Sequence, residues 1–158
     1  AWLVDTQVSS AAKILFSVIS EDSFIGENCS IGPFARLRSG SKVFKNSLVG
    51  NFVEIKNSTI GENSKASHLS YLGDADIGSS CNIGAGTITA NYNGKIKQKT
   101  IIKDDVFIGS NSTLIAPITV NKGAYVGAGS VLAKEDVPEH ALTLTRAERK
   151  TKLNWKKP

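Results

Sequence analysis

The chain of 158 residues has no methionine, only two cysteines and only two histidines, and aromatic residues make up just 7% of it. Each shortage removes a class of protein. With Met absent and Ala1 in first place, the sequence is expected to be processed or cut from something larger. Cys29 and Cys81 make neither a disulfide framework nor a CxxC pair. They are read as buried, reduced thiols, which favours the cytoplasm. Two histidines are too few for a three-histidine zinc site, so no metal is expected. No run approaches the ~18 apolar residues of a membrane span. The first 20 residues also lack the basic-then-apolar pattern of a secretion signal, so no membrane partner is expected. The net charge is +5, but aromatics are not interleaved with the cations and no nucleic-acid motif occurs. Nucleic acid is therefore not an expected partner, and anionic small molecules suit the charge better.

What is present is a beat. Apolar content of 41% fits one globular domain. From Ile14 an aliphatic residue recurs every sixth position, with occasional steps of five: Ile14, Ile19, Ile25, Ile31, Leu37, Val43, Val49, Ile55, Ile60, Ala66, Leu72, Ile77, Ile83 and Thr89. It resumes at Ile102, Ile108, Leu114, Val120, Val126 and Leu132. Gly often follows the aliphatic, as at Gly26, Gly61, Gly84 and Gly109, where it is expected to take the positive φ of a corner. Residues 1–12 are only weakly patterned. Neither a 3.6-residue helix nor an alternating strand gives this spacing. Short strands joined by sharp turns do, and stacked units make a parallel β-helix of triangular section. The expectation is an all-β domain over residues 1–140. A basic tail, 141–158, is expected as a short capping helix with Trp155 packed back on the domain.

The beat breaks once, at Asn91-Tyr92-Asn93-Gly94 and a lysine-rich run. Counting by coils of 18 residues, the interval from Ala85 to Ser110 leaves a loop of seven, so residues 91–99 should project. The same count stacks His68, Ala85, Ser110 and Ala128 on one corner and Arg38 on Lys56 at a neighbouring one. An outward His beside Tyr71 and Asn82 suits a general base. Two stacked cations in slots usually held by Gly suit an anion, phosphate above all. The small corner residues leave room for a long thin ligand, although turn preference alone also gives them. Lys95, Lys97 and Lys99 are read as solubilising charge or a further phosphate contact. IGAGT at 83–87 is repeat glycine and not a dinucleotide fingerprint, since no helix and no third Gly follow in register.

Specific segments then carry a resemblance. They are IGPFARLRSG (31–40), GNFVEIKNSTIGENSKASHLSYLGDADIG (50–78), NIGAGTITANYNG (82–94), KTIIKDDVFIGSNSTLIAPITV (99–120) and GAGSV (127–131). In these the chain resembles the C-terminal acetyltransferase domain of the bacterial bifunctional N-acetylglucosamine-1-phosphate uridyltransferase/glucosamine-1-phosphate N-acetyltransferase. The resemblance implies a left-handed β-helix assembled as a homotrimer, with active sites between subunits. It implies acetyl transfer from acetyl-CoA to glucosamine 1-phosphate, on the route to UDP-N-acetylglucosamine for cell-wall and lipopolysaccharide synthesis. It implies His68 as general base, Arg38, Lys56, Tyr71, Asn82 and Lys97 as sugar-phosphate contacts, and Ala85, Asn91, Tyr92, Ser110, Ala128 and Arg146 as acetyl-CoA contacts. The magnesium site belongs to the family's nucleotidyltransferase half, which has no counterpart in these residues. Ser39 stands where the family often has Pro. Ala90 stands where it often has Cys, which excludes a covalent acetyl-Cys route. The tail aligns to Arg146 only with a one-residue insertion. The alternatives are a hexapeptide acyltransferase with another acceptor and a non-catalytic structural β-helix.

Overall fold

The computed structural model describes residues 1–153 and 155. Among the described residues, twenty-three short strands, from β1 (Trp2–Val4) to β23 (Leu142–Thr143), wind through three parallel sheets of eight, seven and eight strands. The fold is a left-handed parallel β-helix, and each sheet is one face of a triangular prism. The first face holds β7 (Arg36–Arg38), β10 (Glu54–Lys56), β13 (Tyr71–Gly73) and β16 (Ile88–Ala90) in adjacent coils. The second holds β14 (Ala75–Ile77) and β17 (Thr100–Ile102). The third holds β9 (Leu48–Asn51), β12 (Lys65–His68) and β15 (Asn82–Ile83). No α-helix occurs among the described residues.

The aliphatic beat is the core. Leu37, Ile55, Leu72, Thr89, Leu114 and Leu132 form one inward column behind the first face. Val43, Ile60, Ile77, Ile102 and Val120 form the second, and Val49, Ala66, Ile83, Ile108 and Val126 the third. Every member of these columns is nearly or wholly shielded from solvent. Thr89 is tolerated among them because its hydroxyl accepts the Gly73 amide at 2.8 Å and donates to the Gly73 carbonyl at 3.0 Å. Buried serines at the fifth position do the same. Ser47 Oγ donates to the Gly61 carbonyl and Ser64 Oγ to the Gly78 carbonyl, both at 2.7 Å.

Four expectations change. Ile19 is 39% exposed, and the core slot belongs to the neighbouring Ser20, which is in register with Leu37. Ser20 fits because its Oγ accepts Thr6 Oγ1 at 3.0 Å, so the five-residue step runs from Ser20 to Ile25. The weakly patterned start is itself a coil: Leu3 pairs with Ser20, Val8 with Ile25 and Ile14 with Ile31. Leu3 and Val8 stay exposed and Ile14 only half-buried, because only one coil covers them. The glycines after the aliphatics serve mostly close approach and not positive φ. A Cβ on Gly61 would lie 2.4 Å from the Gly78 carbonyl carbon, and one on Gly84 2.6 Å from the Ser110 nitrogen. Left-handed corners are filled instead by residues such as Asn28, Asn46 and Asn63, whose amides stack in a ladder. Finally, the tail does not form a helix over its described part. Leu142–Thr143 joins the third face, and the carbonyls of Ala141 and Thr143 are taken by the amides of Tyr125 and Gly127. Trp155 is 73% exposed, with Lys152 Nζ 4.7 Å from its ring centre, so it does not pack back.

Candidate functional site

The first face carries the cations. Register pairs Arg38 with Lys56, as the coil count requires. Each cation has a carboxylate of its own. Arg38 Nη1 lies 2.9 Å from Glu54 Oε1, and Lys56 Nζ lies 3.3 Å from both oxygens of Asp74. These carboxylates relieve the stacking of like charge without a bound anion. Arg38 reaches Glu54 by folding back across its own face, and Glu54 pairs in register with Tyr71. Tyr71 leans the other way. A Cβ on Gly73 would meet its hydroxyl at 2.4 Å, so glycine there makes room for the phenol. The guanidinium, phenol and ammonium thus converge on one face, although Arg38 and Lys56 leave the backbone at its far edge.

His68 stands at the opposite edge, where the third face turns into the first. The registers Val49–Ala66–Ile83–Ile108–Val126 place Asn51, His68, Ala85, Ser110 and Ala128 in one column at this corner. The predicted stack is therefore present. His68 is exposed, and its Nδ1 lies 2.7 Å from Asn51 Oδ1. A carbonyl oxygen accepts, so Nδ1 carries the proton and Nε2 presents its lone pair outward. The next residues along make backbone bonds from coil to coil: the Asn111 amide to the Ala85 carbonyl at 2.7 Å, and the Gly129 amide to the Ser110 carbonyl at 2.8 Å. Thr145 is pinned at the last coil, donating its amide to Ser130 Oγ and accepting the Val131 amide. That puts Arg146, exposed, beside the Ala128 end of the same corner.

The excursion leaves from the other edge of the first face. Asn91 is buried, whereas Tyr92 and Lys97 are exposed and meet in an antiparallel bridge. Asn93 Oδ1 accepts the amides of Lys95 and Ile96, Tyr92 Oη donates to the Gly94 carbonyl, and the Gln98 amide donates to the Asn91 carbonyl. The loop is thus a small closed hairpin. Lys99 pairs with Asp76 at 2.5 Å.

Within one chain, then, Arg38, Lys56, Tyr71, Asn91, Tyr92 and Lys97 share the first face and its far edge. His68, Ala85, Ser110, Ala128 and Arg146 share the near edge. Asn82 lies on the third face beside Lys65, away from the cations. A face is about five residues wide, roughly 15 Å at ~3.3 Å per residue. A concavity of about 490 Å³ exists elsewhere, lined by Lys99, Ile101, Pro117 to Thr119, Lys134 and Asp136, and holds none of the candidate residues. Three neighbours escaped the sequence reading: Asn51, Glu54 and Asp74. Asn51 and Glu54 precede His68 and Tyr71 by one 17-residue coil, a signal that the beat offers once the short steps are assigned.

This architecture is a left-handed β-helix built on a six-residue repeat. The family described as bacterial transferase hexapeptide (six repeats) matches residues 99–134. Over 156 residues, 99% of this chain, the sequence is 53% identical to the bifunctional protein GlmU of Acinetobacter baumannii. It is 54% identical over 153 residues to that of Thermotoga maritima, covering 97% of this chain. The chain spans about a third (34%) of the length of these curated relatives. Among solved structures, LpxA of Bacteroides fragilis, a UDP-N-acetylglucosamine acyltransferase, superposes with a TM-score of 0.74 at 18% identity, covering 89% of this chain and 65% of that one. The chain is thus similar over almost its whole length to one third of the bifunctional GlmU proteins, and part of its repeat matches the bacterial transferase hexapeptide model.

Proposed function

We propose that this chain moves an acetyl group from acetyl-CoA to the amine of glucosamine 1-phosphate, giving N-acetylglucosamine 1-phosphate for UDP-N-acetylglucosamine synthesis in the cytoplasm. The observation that carries the reading is His68 held by Asn51 in the tautomer that leaves Nε2 free, on a corner of small residues. The residues divide the work. Arg38, Lys56, Tyr71, Asn82 and Lys97 hold the sugar phosphate and so place its amine. Ala85, Ser110 and Ala128 let the pantetheine arm lie against the coils as an added strand does, with Arg146 at its end. Asn91 and Tyr92 sit at the acetyl group and donate to the oxyanion.

The step balances. The neutral amine attacks the thioester carbon, a C–N bond forms, and the proton passes to His68 Nε2. The tetrahedral intermediate then expels the thiolate of CoA, breaking the C–S bond, and the thiolate takes the proton from His68 Nε2, which restores the base. Such base catalysis is worth roughly 10²–10⁴-fold.

A homotrimer with sites between subunits is part of the proposal. Within one chain the two groups of residues lie a face apart and Asn82 lies around a corner, so a second copy is needed to bring them together. An exposed apolar ridge beside His68 supports such contact: Phe34 and Phe52 stack at 5.3 Å, Phe16 meets Phe34 edge-on at 5.2 Å, and Leu69 follows. The reading is tested by acetyl-CoA-dependent CoA release and product formation with glucosamine 1-phosphate, comparing the chain with His68→Ala. A loss of about 10²-fold or more is expected. Unchanged activity in the variant overturns the base assignment, and acetylation of a different acceptor alone overturns the substrate.

A further inference from the structure

The inserted loop and the phosphate cation converge on one carboxylate. Asp74 sits at the corner between β13 and β14, only 8% exposed and at φ +47°, a left-handed conformation that Asp tolerates. Its Oδ1 accepts Asn57 Nδ2 at 2.7 Å, its Oδ2 accepts Asn91 Nδ2, and both oxygens lie 3.3 Å from Lys56 Nζ. The backbone joins in. The Asp74 amide donates to the Lys56 carbonyl, and the Asp74 carbonyl accepts the amide of Thr100. Both ends of the excursion, Asn91 and Thr100, are therefore fastened to this residue, on the side opposite Lys56.

We propose that Asp74 is a positioning residue that ties Lys56 to the loop at Asn91, so that an anion at Lys56 and CoA at the loop tighten each other's binding. The inference rests on the roles proposed above for Lys56 and Asn91. Three donors aim at two oxygens, which only an ionised carboxylate satisfies without conflict. Burial pushes the Asp74 carboxyl up, but the bonds from Asn57, Asn91 and Lys56, with the charge of Lys56, outweigh it and hold the group below the ordinary aspartate range. The corner slots one and two coils earlier are Asn57 and Gly40, also at positive φ and uncharged. The turn as such needs no charge; Asp22 and Asp5 hold the same corner in the two coils before Gly40, but Asp74 is the aspartate there that meets both the cation and the loop. An ammonium held on two of its donors keeps a third for an incoming anion. Fixing the ammonium fixes the carboxylate, and the carboxylate fixes Asn91. Coupling of this kind is reciprocal.

The test measures CoA binding with and without inorganic phosphate, by calorimetry, and acetyl transfer to glucosamine 1-phosphate in the same preparations. In the unmodified chain, phosphate should tighten CoA binding about tenfold. Asp74→Asn should bring that ratio to about one while circular dichroism and gel filtration stay unchanged. Asn91→Ala, which cuts the link from the loop side, should abolish the ratio too and guards against a variant that merely fails to fold. A phosphate effect that persists in both variants, or that is missing from the unmodified chain, overturns the inference. Coupling without acetyl transfer sinks the proposed activity alone. Activity with unchanged coupling in Asp74→Asn sinks this inference alone, and a chain that binds no CoA sinks both.

Discussion

At the scale of single residues, the role proposed for His68 depends on a partner one coil away. An imidazole with both nitrogens in water exchanges tautomers freely. The bond from Nδ1–H to Asn51 Oδ1 selects one and turns the ring, as the aspartate does in hydrolase triads. Asn51→Ala should therefore lower kcat by about tenfold or more while leaving both KM values within about twofold, since neither substrate is bound by Asn51. Steady-state kinetics separates this from a folding defect, which lowers the active fraction and can be titrated. The thiols are a contrast. Burial pushes both Cys29 and Cys81 up, and their Sγ atoms lie 2.9 Å from the Phe44 carbonyl and 3.0 Å from the Lys103 carbonyl. They are core fillers and not nucleophiles. Gly61 shows how a small residue matters without any side chain. A Cβ there meets the peptide group between Gly78 and Ser79, 2.4 Å from its carbon and its oxygen, and that backbone cannot rotate away. Gly61→Ala should cost about 2 kcal/mol or more, read as a fall in the denaturant midpoint.

At the scale of elements, the loop is the part whose attachment depends on charge. Its base hangs on the Asp74 carboxylate, which faces Lys56, Asn57 and Asn91. The folded carboxyl titrates below its unfolded value, so the stabilisation is fully present above the ordinary aspartate range and is lost as pH falls through the lowered folded value. The exposed lysines 95 and 97 should resist an acid-stable protease or show slow amide exchange nearby at neutral pH. Protection should disappear below the ordinary aspartate range, before the sheets melt. Hydrogen exchange across a pH series reads this directly, and loop protection that is flat down to global unfolding contradicts it. The break in the beat showed the loop's length from sequence, since Ile83 and Ile108 are in register across it. Its place was less legible. Counting gives its length and not its face, and the structure roots it a face away from the His68 corner, because the chain must cross β16 before it departs. Ile19 is the other miss. Hydrophobicity pointed to it, yet Thr6 solvates Ser20 from inside and the slot went to the serine.

For the molecule as a whole, three columns of aliphatics run the length of the prism, and each coil is covered by the next. Such a stack is held by nearest neighbours, so a cavity in mid-column weakens both interfaces at once. The outer surface is where the proposed function calls for a second copy. The two groups of candidate residues occupy opposite edges of one face, and the apolar ridge Phe16–Phe34–Phe52–Leu69 runs beside His68. Acetyl transfer should therefore scale with the trimer population. Diluting the chain while following mass by light scattering should lower specific activity in step with dissociation, and Phe52→Glu should do both at once. A monomer of full specific activity would sink the shared site.

The sequence by itself determined the period, and the period determined the prism. Six-residue spacing is a local rule that each strand and corner obeys alone, so counting was enough to stack Arg38 on Lys56 and His68 on Ala85, Ser110 and Ala128. The tertiary structure decided which charges meet. Glu54 under Arg38, Asn51 on His68, and Asp74 between Lys56 and Asn91 are all contacts across 16 to 18 residues. Such contacts depend on where each five-residue step falls and on which way a long side chain folds over its face. One misplaced step rotates every outward residue by a position while leaving the hydrophobic beat nearly as good. The core is thus readable from composition and spacing, whereas the polar surface that does chemistry is decided only when the coils are laid on one another.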